Sequence, residues 1–250
     1  MDFALGGKVA TVTGGNAGIG RAIGRMLARE GVRVALTGRN ADTLAAARDD
    51  IIADGSPEPF TVAQDLMEEG APEAVRAAVH AALGPIDILV NNAGGSRPFG
   101  KDAPEEAWEE ALTLNFTRQR QMASAFLPDM EGKGWGRIVN ITGKSEPDNV
   151  NGAFCAKAAM HSWAKGLSRE VGPKGITVNC VPPGRIMSDQ IRRNYSPEYR
   201  AEQSRTEIPM GRYGEPEDLA ALVVFLCSEP AGYITGTVIP VDGGLRRYQF

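Results

Sequence analysis

Seven short runs rich in β-branched residues alternate along this chain with longer stretches of helical periodicity, and that alternation is its strongest constraint. The runs are "KVATVT", "RVALTG", "FTVAQD", "IDILVNN", "GRIVNIT", "ITVNCV" and "TVIPVDG". Strands separated by helices cannot pair as tight hairpins. Each connection must cross over, which makes the sheet parallel and covers both its faces with helices. The pattern predicts one α/β domain over residues 1–250, a doubly wound sheet of seven parallel strands. Helices are expected to begin near Gly18, Ala41, Pro72, Pro104, Asn151, Ser188 and Pro216. Several of these open on proline or an acidic first turn, which suits the missing donors and the positive dipole end of a helix start. With 250 residues, 42% of them hydrophobic, the chain can bury one such core, and no repeat or linker divides it.

Charge narrows the partners. A formal net charge of -4, with acidic and basic residues interspersed, supplies no clustered positive field for nucleic acid or an anionic membrane, so a small molecule is the expected partner. The three cysteines, Cys155, Cys180 and Cys227, are odd in number and far apart, with no CxxC pair. That argues against a disulfide framework and against a zinc site, and no metal is expected. The opening "MDFALGGKVATVTGG" has no basic leader followed by an apolar run, and no run approaches bilayer-spanning length. A cytoplasmic protein is the expectation.

The stretch "TGGNAGIG", residues 13–20, directly follows the first strand run and opens the first helix. Glycines there let the backbone turn tightly and approach a pyrophosphate, while the helix N-terminus offers unpaired N–H groups. A glycine-rich turn also serves as a plain strand-to-helix connection, but the strand before it and the helix after it favour nucleotide binding. Four further stretches follow in order: "NNAG" at residues 91–94, Asn115 in "ALTLNFT", "PPGRIMS" at residues 182–188, and "YITGTVIPVDGG" near the C-terminus. Together with the TGxxxGxG spacing and Lys157, they resemble the short-chain dehydrogenase/reductase family over essentially the whole chain.

The resemblance implies a Rossmann-type fold, a nicotinamide dinucleotide, hydride transfer, and a homotetramer that pairs through the helices bearing Asn115 and Lys157. It carries cofactor contacts onto Gly14, Asn16, Gly18, Ile19 and Gly20 of the first turn, and onto Asn92, Ala93 and Gly94 after the fourth strand. Lys157 belongs with them, as do Pro183, Gly184, Ile186 and Ser188 over the nicotinamide. Asp65, with Leu66 beside it, matches the aspartate that bonds the adenine amino group; capping the next helix is an equally ordinary role for it. At the end of the second strand, where NAD-preferring members carry an acid, this chain has Gly38 followed by Arg39. A guanidinium can bond a phosphate in paired fashion, so NADP(H) is favoured and NAD(H) is possible.

Catalysis is where the sequence departs from the pattern. Family members carry a tyrosine one turn before the lysine and a serine after the fifth strand; counting from Lys157 and along "GRIVNIT" gives Ala153 and Gly143. Phe154, beside the tyrosine place, has no hydroxyl. The candidate catalytic residues are therefore Asn115 and Lys157, acting with a held water, and Ser145 and Lys144 from the following loop. The polar segment 188–213 sits where the family places a substrate lid, and from it Tyr195 and Tyr213 are weighed as donors. Arg192, Arg193 and Arg205 of the lid either meet an anionic substrate or form a solvated face. Cys155 is expected as buried packing and His161 as a satisfied interface histidine. Three readings stay open: an oxidoreductase acting on a small carbonyl, imine or conjugated substrate; a dienoyl- or enoyl-thioester C=C reductase, since dienoyl-thioester members also carry a small residue at the tyrosine place; and a non-catalytic NADP(H)-binding protein.

Overall fold

The computed structural model describes residues 2–143 and 147–247. Six parallel strands form the sheet: β1 (Val9–Thr13), β2 (Arg33–Gly38), β3 (Phe60–Ala63), β4 (Ile88–Asn91), β5 (Gly136–Ile141) and β6 (Ile176–Val181). Their order is β3-β2-β1-β4-β5-β6. The chain winds outward from β1 through β2 to β3, then returns to the other side of β1 and winds through β4 to β6. The crevice this reversal opens lies at the carboxyl ends of β1 and β4, where an open parallel sheet binds its ligands.

The expected seventh strand is a correction. "TVIPVDG" runs parallel beside β6 but makes only isolated bridges, Cys180 with Val238 and Pro183 with Val241. Individual bonds form, such as Ile239 N–H to the Cys180 carbonyl and Val241 N–H to the Pro182 carbonyl, each within 3.1 Å. Pro182, Pro183 and Pro240 have no N–H to give, so the ladder cannot become continuous.

Nine helices are seen among the described residues: α1 (Gly18–Arg29), α2 (Ala41–Ala53), α3 (Ala71–Leu83), α4 (Glu105–Leu112), α5 (Arg118–Lys133), α6 (Gly152–Val171), α7 (Asp189–Asn194), α8 (Pro197–Thr206) and α9 (Pro216–Cys227). The seven expected starts fall on a first residue, an N-cap or the position beside it. Asn151 and Ser188 cap α6 and α7 by accepting from Ala153 N–H at 3.0 Å and Ile191 N–H at 3.2 Å. Two helices had no expected start of their own: α8, inside the lid, and α5, which continues α4 through a π-helical turn, Thr113–Thr117. Among the described residues no helix is long and apolar enough to cross a membrane.

Helices cover both sheet faces, and β1, β4, β5 and β6 are buried along their whole length. Ile23 and Leu27 of α1 and Val223 of α9 pack with Leu36 and Val90 on one face. Val75 of α3, Phe126 of α5 and Met160 of α6 pack with Leu89 and Ile138 on the other. Within this second layer lies a polar pair. Asn91 and Asn140 sit opposite each other in β4 and β5, both fully buried. Asn91 Nδ2 donates to Asn140 Oδ1 at 2.9 Å and to the Gln119 carbonyl at 3.1 Å. Truncating Asn140 to Ala strands one of those donors in the core, so urea denaturation should register a loss of about 1–3 kcal/mol.

Candidate active site

A cleft of about 650 Å³ opens at the carboxyl ends of β1, β2 and β4. A second hollow of equal volume lies between α8 and the start of α9, is more open to solvent, and of the candidate donors is lined by Tyr213 alone, whose hydroxyl is taken up by Gln203. The first brings Asn115 and Ala153 together with residues of the glycine turn.

One end of the cleft is built by the glycine turn. Gly14 and Gly18 have φ of +65° and +50°, conformations that disfavour a side chain. A Cβ at Gly20 would collide with the Gly14 carbonyl oxygen and reach within 2.5 Å of Asn92 Nδ2, so the helix start can press against the turn only as glycine. Asn92 stitches the turn to the end of β4: its Nδ2 donates to the carbonyls of Thr13 at 2.9 Å and Gly14 at 3.1 Å. Thr13 Oγ1 in turn accepts from the N–H groups of Asn92 and Ala93, both at 2.9 Å. Along the β2 side stand Thr37, whose Oγ1 is buried without a partner, and Arg39, exposed on the rim with no acidic partner among the described residues. Asp65 Oδ1 accepts from Met67 N–H at 2.9 Å, which is the local turn role.

The other end is held by Asn115, on the π-helical turn and 1% exposed. Its Oδ1 accepts from Gly95 N–H at 3.0 Å, and its Nδ2 donates to the carbonyls of Gly95 at 3.0 Å and Ala111 at 2.9 Å. Both amide hydrogens are committed to backbone, so the side chain acts as a clamp on the loop after β4. The Lys157 stem rests on Gly143: a Cβ there would lie 2.9 Å from Lys157 Cδ and 3.9 Å from Nζ. Lys157 has no hydrogen bond or ion pair among the described residues. Burial of its ammonium pushes the pKa down to about 8. One turn earlier, Ala153 is buried and lines the cleft.

The sequence candidates divide. Gly14, Asn16, Arg39, Asp65, Leu66, Ala93, Gly94 and Asn115 line the cleft. Gly18, Ile19, Gly20 and Asn92 form the structure just behind it. Pro183, Gly184, Ile186 and Ser188 do not line it; they lie past β6, with Gly184 N–H bonded to the Val241 carbonyl at 2.9 Å. Lys144 and Ser145 lie outside the described residues. Neither lid phenol faces the cleft: Tyr195 stacks on Tyr199 with ring centroids 5.2 Å apart, and the buried Tyr213 donates to Gln203 Oε1. Of the lid arginines, Arg193 lines the cleft, while Arg205 pairs with Glu202 at 2.7 Å. His161 Nε2 is bonded to Thr142 Oγ1 at 2.8 Å, and burial lowers its pKa. Cys155 is exposed, not buried: two residues past Ala153 is about 200° around the helix, nearly the opposite face.

Asn151, expected from the sequence only as a helix start, also lines the cleft. Besides capping α6 it donates to Ser96 Oγ at 3.2 Å and to the Arg97 carbonyl at 3.4 Å, fixing the loop after β4 against the helix that carries Lys157. An asparagine before a helical stretch signals a cap, but nothing in the sequence signals what else it holds. Phe99, which packs on Gly152, and the Arg97–Glu110 ion pair at 2.6 Å complete this wall.

Comparisons with known proteins agree with this architecture. A family model described as Enoyl-(Acyl carrier protein) reductase matches residues 14–246. An acetoacetyl-CoA reductase of Rhizobium meliloti is 40% identical over 243 residues, 95% of this chain and 98% of the relative. A 3-oxoacyl-(acyl-carrier-protein) reductase of Aquifex aeolicus is 35% identical over 260 residues, 98% of this chain and 100% of the relative. Among solved structures, L-sorbose reductase from Gluconobacter frateurii, complexed with NADPH and L-sorbose, superposes with a TM-score of 0.93 at 30% identity, covering 99% of this chain and 100% of that one. A 7α-hydroxysteroid dehydrogenase complexed with NADH and 7-oxo glycochenodeoxycholic acid gives 0.91 at 33% identity, covering 97% and 96%. The chain belongs to the short-chain dehydrogenase/reductase family, and with it to the NAD(P)-dependent oxidoreductases.

The clamp can be tested directly. Replacing Asn115 with Ala frees the Gly95 N–H, and hydrogen exchange at that amide should quicken by roughly five- to tenfold, the net worth of about one hydrogen bond. Unchanged protection would show that the loop is held by something else.

Proposed function

We propose that this protein is an NADP(H)-dependent oxidoreductase that moves hydride to or from a small carbonyl, imine or conjugated substrate, with Lys157 in the proton-transfer position where family members use a phenol. The observation that carries this reading is the Lys157 corner: a half-buried lysine whose ammonium has no partner among the described residues, packed on Gly143 and one turn from Ala153, neither of which has a hydroxyl.

The residues present fit the dinucleotide. The Gly14–Gly20 approach leaves no room for a Cβ and leaves backbone free for a pyrophosphate, and the orphaned Thr37 Oγ1 together with Arg39 offers donors where a ribose phosphate would lie. When bound, the nicotinamide supplies or receives the hydride. This chain's own residues do the rest: Asn115 and Asn151 hold the loop that walls the substrate end, and Lys157 gives up or takes the proton at Nζ. General acid catalysis is worth about 100- to 10,000-fold, or roughly 3–5 kcal/mol of barrier. An amine whose pKa is about 8 suits that task near neutral pH. Ser145 and Lys144 are the competing donors.

A second reading, reduction of a conjugated C=C bond in an acyl thioester, is favoured by the same two small residues, because charge then develops on a distant carbonyl and needs no acid at this place. The description of the matching family model supports it, while the acetoacetyl-CoA reductase relative supports only the thioester part of the substrate. We read the assembly as a cytoplasmic homotetramer pairing through the helices of Asn115 and Lys157, where Leu112 is 40% exposed.

Titration with NADPH, followed at the nicotinamide absorbance across ketones, enones and imines, separates these readings; tight binding with no oxidation across the panel leaves a non-catalytic binder. Arg39→Asp should cost NADPH about 10- to 100-fold in affinity relative to NADH, the loss of charge-assisted bonds to a phosphate. The pH dependence has a definite sign. Reduction needs the protonated amine, so kcat should fall as pH rises through about 8, while oxidation should rise over the same interval. In Lys157→Arg, whose guanidinium stays charged, any residual reduction should lose that limb; its persistence would assign the proton to another group.

A further inference from the structure

The loop after β3 forms one wall of the cleft through Gln64, Asp65, Leu66 and Met67, yet it leaves an edge strand. β3 pairs with β2 alone, so no strand flanks the loop on its outer side. Its internal bonds, Met67 N–H to Asp65 Oδ1 at 2.9 Å and Glu68 N–H to the Asp65 carbonyl at 3.2 Å, shape the turn without tying its far part to the rest of the protein.

The tie comes from across the cleft's base. Arg118, first residue of α5, donates from Nε to the Leu66 carbonyl at 2.8 Å and from Nη2 to the Met67 carbonyl at 3.2 Å. Its Nη1 donates to Gln121 Oε1 at 2.7 Å, which fixes the plane of the fork. A guanidinium presents these donors in a rigid plane, so it can span two successive carbonyls as a flexible ammonium cannot. The neighbouring Gln119 donates from Nε2 to the Ala93 carbonyl at 2.8 Å. The first turn of α5 therefore grips both walls: the loop after β4 through Gln119, and the loop after β3 through Arg118.

We infer that Arg118 is a positioning residue for the adenosine half of the dinucleotide, holding the wall formed by Asp65, Leu66 and Met67 in its binding conformation before the ligand arrives. This rests on the cofactor reading above. Asn115 and Ala153, one turn before Lys157, mark the reacting end of the cleft and the glycine turn its middle, so the wall beyond, beside Arg39, faces the adenosine end. Without the fork, ordering of that wall moves into the binding step, and the affinity of whatever lies against it drops.

The test uses the two halves of the ligand as separate probes, 2′,5′-ADP and reduced nicotinamide mononucleotide, with NADPH itself, all by calorimetry on the full chain. Arg118→Leu should weaken 2′,5′-ADP and NADPH alike by about tenfold, the size expected when a few loop side chains are ordered on binding, and leave the mononucleotide unchanged. Arg118→Lys, which keeps the charge but not the fork, should stay weakened, and it stands in if the leucine variant does not fold. Full recovery with lysine, no weakening of 2′,5′-ADP, or equal loss of both halves would each overturn the role of Arg118. If the unaltered protein binds neither NADPH nor 2′,5′-ADP, the cofactor reading falls, and this inference with it.

Discussion

A parallel sheet whose connections diverge from its centre leaves backbone polar groups without strand partners at the point of divergence, and the whole site depends on how those groups are satisfied. Here the carbonyls of Thr13 and Gly14 are capped by the side chain of Asn92, while Thr13 Oγ1 receives the N–H groups of Asn92 and Ala93. Side chains replace the missing ladder, and the two loops are locked together without filling the space above them. Glycine at positions 14 and 20 is the other half of that solution, since any Cβ would occupy the gap the stitch holds open. The crevice is thus a consequence of saturated hydrogen bonding in a place where the sheet itself cannot supply it.

The same logic runs outward through successive polar anchors. Asn115 saturates the Gly95 peptide, Asn151 ties Ser96 and Arg97 to the start of α6, and Gln119 and Arg118 reach from α5 to the loops on either side. Four amide or guanidinium side chains therefore hold the loops after β3 and β4. Lys157 stands apart. It is surrounded by the small residues Gly143 and Ala153 and carries no described partner, so desolvation acts on its ammonium without compensation and lowers its pKa. A group in that condition is costly for stability and suited to proton transfer, the combination expected of a site.

Much of this was legible beforehand. The alternation of runs identified every strand of the sheet, and turn and cap residues marked most helix starts to within a residue. "TVIPVDG" misled because its apolar pattern is that of a strand, while its own proline and those opposite it remove the donors a ladder requires. α5 was hidden because a π-helical turn carries the helix past the place where a break might be read. At the site, the glycine turn and the "NNAG" segment could be found because their chemistry is local: backbone conformation and close approach leave glycine as a signature. Asn151, Arg118 and Gln119 left no such mark, since a polar residue at a helix start reads as a cap or as solvated surface until its distant acceptor is known.

By itself, the sequence determined the class of fold, the place of the glycine turn, and the absence of a hydroxyl at positions 143 and 153, because each of these is a property of single residues or of their spacing. Tertiary structure decided which loops are fixed to which helices, that Tyr213 is engaged in lid packing, that Cys155 faces outward, and that Lys157 is half-buried without a counter-charge among its described neighbours. Those depend on atoms brought together from segments dozens of residues apart. Hydrogen bonding and desolvation act over a few ångströms of space, a distance that position along a chain does not record.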